Sequence, residues 1–368
     1  FTGGQAEELR RAMGFKRSVE RMDAIEKRLR DGMTQRGIVG DAQEQILKSI
    51  TSFALYGFPE SHAASFALIA YASAWLKVHH PTAFYVSLLN AWPMGFYHPA
   101  TLIKDAQRRG VEVRPIDVRR SDYRCTWEEA GRGARARGAL RVGLRYVREL
   151  RRQAAMRIEE ERRRRPFASV EDLSLRCALR GEELDQLAYS GALRGFGLER
   201  REALWQVARL ARPAGPLFEE LTETTPSPLA PMSPLEETIA DYLTSGLTVG
   251  VHPMAYARER LRRQGVVTTA ELAAMPAGRK VRFAGAAIVR QRPGTAKGIL
   301  FVTLEDETGM AQAIFMPDVF ETARRTIVDA PGMVIEGVLQ KLDGSLSVKA
   351  ERAWPLDKLS PTPSHDFR

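Results

Sequence analysis

Cysteine is nearly absent from this chain. Its 368 residues hold two, Cys125 and Cys177, far apart in sequence. That excludes a disulfide framework, and the spacing offers no zinc site. Histidine is scarce as well: six are scattered along the chain without metal-ligand spacing. No metal cofactor bound by this chain alone is expected. Long apolar runs are missing too. A helix that crosses a bilayer needs about 20 predominantly apolar residues. The uncharged, mostly apolar or small run Ala63 to Leu76 within "YGFPESHAASFALIAYASAWLKVHHP" has 14. The N-terminus shows no basic-then-apolar signal pattern. These absences predict a cytoplasmic protein without a membrane partner. The first residue is Phe1 and not Met, which suggests a piece of something longer.

Lysine is absent from one stretch in particular. Residues 107–165 hold 19 Arg, no Lys and 9 acids, a balance of +10 that equals the net charge of the whole chain. The rest is therefore neutral. Guanidinium forks pair well with phosphate oxygens, so the block points to nucleic acid. A solvated, Arg-rich surface is the alternative that composition leaves open.

At this length two or three domains are expected. Apolar spacing predicts helices within residues 1–110, the clearest over Ser18–Arg30, Asp41–Leu55 and Ser61–His79, where Pro81 stops the pattern. "VEVRPIDV" and "SDYRCTWE" alternate like strands, and "ALRVGL" follows a glycine-rich turn. Two helical pairs come next, roughly Val142–Arg165 and Ser169–Ala211. A linker rich in Pro, Thr and Ser separates them from a helical segment, Leu235 to Met275. The last domain reads β-β-β-α-β-β, with Asp343-Gly344 as a strong hairpin turn. That order matches a five-stranded OB barrel. The polar tail after Trp354 is expected to fray.

On residues alone the neutral run is a buried helix. Ser61-His62 has no acid partner at a motif spacing, so a hydrolase triad is not supported. Ser61 can cap the helix while His62 packs; alternatively Ser61, His62 and Lys77 edge a groove for a polar ligand. The stretch resembles the fingers segment of bacterial C-family DNA polymerases, the DnaE-type α subunits. Their run reads Phe-Asn-Lys-Ser-His and closes on Leu-Lys; here it is Phe58-Pro59-Glu60-Ser61-His62, closing on Trp75-Leu76-Lys77. The "FPESHAASFAL" form is similar to the error-prone, ImuC-type branch that serves damage-tolerant synthesis. "FTGGQAEELRRAMGFKR" and "GLTVGVHPMAYARERL" carry the likeness across essentially the whole chain.

The resemblance implies a multi-domain, mainly α fold with a C-terminal five-stranded OB β-barrel. Polymerase fingers would occupy 1–116, a tandem helix-hairpin-helix region 117–212, a linker 213–234, a helical connector 235–275, the OB fold 276–357 and a tail 358–368. Arg10 and Arg11 would lie near the triphosphate of an incoming dNTP, with Ser61, His62 and Lys77 beside them. The first hairpin would be "LRVGLRYVREL", with Gly143 admitting a phosphate to the backbone. The later Lys-Gly of many relatives is Arg148-Glu149 here, so Arg145, Arg148 and Arg151 would replace that contact through side chains. "LAYSGALRGFGLERREAL" would be the second hairpin, with Gly191, Gly195, Gly197, Arg200 and Arg201. Single-stranded DNA would meet Arg290, Arg292, Lys297, Phe301 and Phe315 of the OB domain, although both phenylalanines could equally fill the barrel. The palm carboxylates that hold Mg²⁺ would lie upstream of Phe1, so no catalytic residue and no polymerisation by this chain alone is expected. A clamp-binding peptide of the family would fall at "AGPLF", Ala214 to Phe218. Ala214 stands there in place of glutamine, so the sliding clamp would be reached through an accessory protein. The rival expectation is a non-catalytic module that binds single strands through its OB fold.

Overall fold

A computed structural model describes residues 19–367 except 57–59, 96, 132–137, 211–226, 295, 343–344 and 357–364; for residues 19–25, 50–56, 60 and 365–367 it describes the backbone alone. Two compact units make up the chain, residues 1–76 and 77–368.

In the first unit, α1 (Val19–Gln35) and α2 (Asp41–Tyr56) form a helical hairpin. Gly37 and Gly40 carry the turn between them at φ of +76° and +70°, where a Cβ would be strained. Met33 and Leu47 are buried in it. The Gln43 amide donates to the Arg30 carbonyl and the Thr34 hydroxyl. α3 (Glu60–His79) contains the neutral run. Ser61 lies inside its first turn and not ahead of it, so it is not the cap the sequence suggested. The run is also not buried: Phe66, Ile69 and Tyr71 are 60%, 60% and 71% exposed. Its apolar residues surround the helix, so no polar face exists for it to turn outward.

The second unit begins with α4 (Pro81–Ala91) and α5 (Pro99–Arg108), each opened by a proline. Proline suits that position because its missing N–H would have no helical partner there. Strands β1 (Glu112–Arg114), β2 (Thr126–Glu128) and β3 (Ala139–Arg141) form a small sheet in the order β1-β3-β2, parallel between β1 and β3 and antiparallel between β2 and β3. Four helices follow: α6 (Arg152–Arg164), α7 (Val170–Cys177), α8 (Gly181–Tyr189) and α9 (Arg200–Leu210). Leu89, Ile103, Leu140, Leu144, Ile158 and Leu187 belong to the one core beneath them. α10 (Pro234–Ser245) and α12 (Thr269–Ala274) start with capping boxes, Ser233/Glu236 and Thr268/Glu271, and α11 (Pro253–Arg263) lies between.

The last part is a closed barrel of β4 (Lys280–Gln291), β5 (Leu300–Glu305), β6 (Met310–Phe315), β7 (Gly332–Leu342) and β8 (Ser345–Pro355). β4 pairs with both β5 and β7, β5 with β6, and β7 with β8, all antiparallel; β6 and β8 close the ring in parallel. α13 (Pro317–Asp329) stands between β6 and β7, which completes the expected OB order. Leu342 pairs with Ser345, as a two-residue turn requires; Asp343 and Gly344 themselves lie outside the described residues. At Gly337 a Cβ would sit 2.1 Å from the Lys349 carbonyl oxygen, so the bulge beside it needs glycine. The tail departs from the expected fraying: β9 (His365–Phe367) pairs in parallel with Val289–Gln291.

A buried ionic cluster fixes the barrel to the helices before it. Arg108 of α5 donates to Glu305 at 2.6 Å, and Thr101 donates to the same carboxylate at 3.3 Å. Asp306 accepts from the N–H groups of Thr269, Thr308 and Gly309. Arg258 of α11 reaches Asp306 at 3.3 Å and also pairs with Glu307. Burial dominates the titration of this cluster. It pushes Glu305 up to about 7, against the pull of Arg108. It pushes His252 down to about 3, helped by Lys104 and Arg108, and Lys104 down to about 8.

Candidate nucleic-acid interface

The first hairpin joins β3 to α6. Its chain turns through one short 3₁₀ segment, Leu144–Tyr146. The N–H groups of Leu144 and Arg145 bond to the carbonyls of Asp122 and Tyr123. A Cβ on Gly143 would lie 2.4 to 2.6 Å from backbone atoms of Tyr123, Arg124 and Cys125. Gly143 is therefore needed for a crossing of the protein's own chain, and not for the phosphate contact the sequence suggested. Glu149 stands at φ +62°, a conformation that glycine adopts freely and that a side chain resists. The Lys-Gly pattern expected at this place supplies that glycine; this chain keeps the turn without it.

Two arginines assigned here to phosphates are occupied inside the protein. Arg145 donates to the carbonyls of Asn90 and Trp92 at 2.7 and 2.6 Å, tying the hairpin to the end of α4. Arg151 grips the buried Glu183 through two bonds of 2.7 and 2.8 Å. Burial pushes that carboxyl up, but Arg151 and the N–H groups of Arg180 and Arg151 win and hold it at about 2. Arg148 is different: its N–H bonds to the Thr244 carbonyl and its side chain is exposed.

Many other arginines of the block are likewise internally paired. Arg114 and Arg141 share Glu128, Arg162 pairs with Asp122, and Arg163 and Arg164 pair with α6 carboxylates one turn back. Exposed arginines of the block that pair with no carboxylate among the described residues are Arg119, Arg120, Arg124, Arg148, Arg152 and Arg157, and of these Arg119 donates to the Gly195 carbonyl. Arg124 and Arg152 flank the first hairpin: Arg124 adjoins the Gly143 crossing, and the Arg152 guanidinium lies 5.5 Å from the Tyr123 ring centre. Neither is among the phosphate contacts expected from the sequence. One signal was available for Arg152, since no carboxylate follows it by three or four positions on the helix.

The second hairpin lies between α8 and α9. Gly191 and Gly197 take φ of +79° and +80°. Gly195 is pressed by Asp117, whose carboxylate oxygen would be 2.6 Å from a Cβ, and Arg119 donates to the Gly195 carbonyl. The arginines expected to meet DNA here turn to α10 instead. Arg200 is buried and donates to the Tyr189 carbonyl at 3.0 Å and to Asp241 at 2.6 Å. Arg201 pairs with Glu236 at 2.8 Å, and Arg194 pairs with Glu237. α10 presents three acids to this hairpin, so the pairing replaces the proposed phosphate contacts with protein ones.

The remaining predicted positions scatter. Arg10, Arg11 and the Ala214–Phe218 segment lie outside the described residues. Ser61 and His62 sit in the first turn of α3, with the His62 ring 4.5 Å from Phe66. Lys77 pairs with Asp105 at 2.6 Å, a carboxylate that also accepts from the Tyr85 hydroxyl. In the barrel, Phe315 is fully buried and belongs to the core. Arg290 is 7% exposed and donates to the Ile327 and Ala330 carbonyls, satisfying the C-terminal end of α13. Neither is presented to a ligand. Phe301 is half-buried, in register with Ile314, which is itself in register with Lys349. Lys297 is exposed in the preceding loop, and the Arg292 guanidinium rests 4.8 Å from the Phe320 ring centre.

Residues 110–203 match the helix-hairpin-helix motif family. Among curated proteins, the error-prone DNA polymerase of Alkalilimnicola ehrlichii is 46% identical over 93% of this chain and 33% of its own length. That of Anaeromyxobacter sp. strain K is 45% identical over 97% of this chain and 32% of its own, and that of Pseudomonas syringae pv. syringae 43% over 98% and 35%. The chain thus spans about a third of the length of the relatives it matches. Nearly all of it is similar to a third of proteins named error-prone DNA polymerase, and it holds a helix-hairpin-helix region followed by an OB barrel.

Proposed function

We propose that this chain is the C-terminal third of an error-prone DNA-directed DNA polymerase of the DnaE and ImuC type. Its role there is to hold the primer-template duplex while the nucleotidyl transfer takes place elsewhere in the polymerase. The first hairpin carries this reading. Arg124, Arg148 and Arg152 are exposed and unpaired with carboxylates among the described residues; Arg124 adjoins the Gly143 crossing, Arg152 opens α6 against Tyr123, and the Arg148 guanidinium lies beside Gly246. Guanidinium groups without a carboxylate partner, on and beside a hairpin, suit phosphates of either strand without reading bases. The second hairpin, its arginines engaged by α10, serves to fix α8 and α9.

The transfer itself would use two metal ions that polarise the reacting phosphate and activate the primer hydroxyl. Among the described residues no group of three His, Cys, Asp or Glu side chains is placed to hold a metal. Arg10 and Arg11, with Ser61 and His62, remain the candidates for contact with the incoming dNTP; Lys77 stands at the other end of α3, about 22 Å along the helix, and pairs with Asp105. The exposed apolar surface of α3 suits packing against the rest of a polymerase. Ala214 in place of the glutamine of a clamp peptide favours an accessory protein as the link to the sliding clamp.

A primer-extension assay tests the reading. The 368-residue chain alone is expected to extend no primer. Joined behind the N-terminal two thirds of the Alkalilimnicola polymerase it is expected to restore extension, and Arg124→Ala, Arg148→Ala and Arg152→Ala together should raise the primer-template concentration needed. Extension by the isolated chain, or a joined protein that binds its template equally well without these arginines, would contradict it.

A further inference from the structure

A trough runs along the barrel between α11 and the strands β4, β7 and β8. It has two connected halves that share Gln264 and Arg282, with volumes of about 330 and 310 Å³. Its floor is apolar, with Leu261, Val266 and Val334 in one half and Val267, Met275 and Val281 in the other. Arg260 and Arg282 rim the first half, Arg279 and Lys280 the second. Glu336 is the one acid lining either half, and Arg282 at 2.5 Å and Lys280 at 3.5 Å already neutralise it. Arg260 and Arg279 are exposed and pair with no carboxylate among the described residues. Cross-strand register adds Arg352 of β8 to the row of Arg282 and Glu336.

Trp354 stands in the first half, 39% exposed, with the Arg282 guanidinium 5.8 Å from its ring centre. An indole left open to solvent among cations is a stacking platform for a base, and the cations match the phosphates on either side of it. The Phe301 side offers less: Phe301 is half-buried, Arg292 lies over Phe320, and Arg290 and Phe315 are inside. An extended acidic peptide would need a free strand edge to pair with. β4 and β7 have none along most of this trough, because each is bonded on both sides; β8 is open on one side only beyond Lys349, a stretch that ends at Pro355, which has no N–H to donate.

We infer that this trough, and not the Phe301 side, is where the barrel takes single-stranded DNA, with one base on Trp354 and flanking phosphates at Arg260, Arg279 and Arg282. The inference rests on the DNA-binding reading above and names the face. The test titrates the full chain with a short oligothymidylate, following tryptophan fluorescence and anisotropy, and measures duplex binding in parallel. Trp354→Ala should weaken oligothymidylate binding about 5- to 150-fold and remove the fluorescence change, while Trp354→Phe retains part of both. Arg260→Glu with Arg279→Glu, both on the surface, should weaken it as well and leave duplex binding intact. Loss with Arg292→Glu and Lys297→Glu, but not with the trough variants, would overturn the inference and leave the polymerase reading standing. So would displacement of the strand from Trp354 by an acidic peptide that binds more tightly. Failure of the unaltered chain to bind duplex would instead count against the polymerase reading.

Discussion

Glu149→Gly should stabilise the protein, against the usual effect of placing glycine in a structured turn. Glu149 holds φ +62°. A residue with a Cβ pays about 1–2 kcal/mol there. Glycine avoids that cost but brings about 0.5–1 kcal/mol of extra unfolded-state freedom. The substitution also loses the exposed hydrogen bond from Gln186 to the Glu149 carboxylate, 3.1 Å long. The net gain is then between zero and about 1 kcal/mol. Comparing Glu149→Gly with Glu149→Ala is cleaner, since both lose the carboxylate. The glycine form should be the more stable by about 1 kcal/mol in urea denaturation. Removing the charge has a second consequence. A carboxylate about 8 Å from a phosphate in water opposes binding by about 0.5 kcal/mol. Glu149→Gly and Glu149→Gln should therefore both bind duplex about twofold more tightly at low salt, and the advantage should fade as salt rises. An alanine variant as stable as the glycine one would refute the strain argument. Unchanged duplex affinity in both charge-removing variants would refute the placement of DNA at this hairpin.

The two hairpins should respond differently to loss of arginine. Arg200→Ala breaks a buried pair with Asp241 and should cost about 3–5 kcal/mol, whereas Arg201→Ala, on an exposed pair, should cost about 0–1 kcal/mol; thermal unfolding reads both. Phe315→Ala should cost about 3–5 kcal/mol and leave oligothymidylate contacts to be lost only by unfolding, which a melt at saturating DNA separates. Glu305, raised to about 7 from an ordinary 4.5, favours folding in its protonated form, so its contribution is complete below 4.5 and is lost as pH rises to 7. Glu305→Gln should accordingly gain on the natural chain between pH 5 and pH 8, by about 3 kcal/mol at most. An equal difference at both pH values would count against that assignment. His252 works in the opposite sense: it is depressed to about 3, and its contribution is present above 6.5 and lost as pH falls.

How much of this was legible in the sequence follows from what each feature depends on. The barrel was readable because strand alternation and an Asp-Gly turn are local properties, and every expected strand recurs. The helix-hairpin-helix region was readable from its glycines, yet their reasons were not. Gly143 answers to a chain crossing at Arg124, and Gly195 to Asp117, both distant in sequence. The arginines were hardest. A run of 19 looks uniformly free in one dimension. Folding brings Glu183 to Arg151, Asp241 to Arg200 and backbone carbonyls to Arg145, and leaves Arg124 and Arg152 outside. Phe301 and Phe315 differ only in which face of a barrel strand they take, which alternation specifies once the register is known.

The most direct test of the account is the salt dependence of duplex binding by the full chain, measured for the natural sequence and for Arg124→Ala, Arg148→Ala, Arg152→Ala combined. Each phosphate contact contributes about 0.9 to the slope of log affinity against log salt. The account predicts a slope shallower by about 2–3 in the triple variant and no change when Arg194 and Arg201 are replaced instead. An unchanged slope in the triple variant, or a loss confined to Arg194 and Arg201, would contradict it.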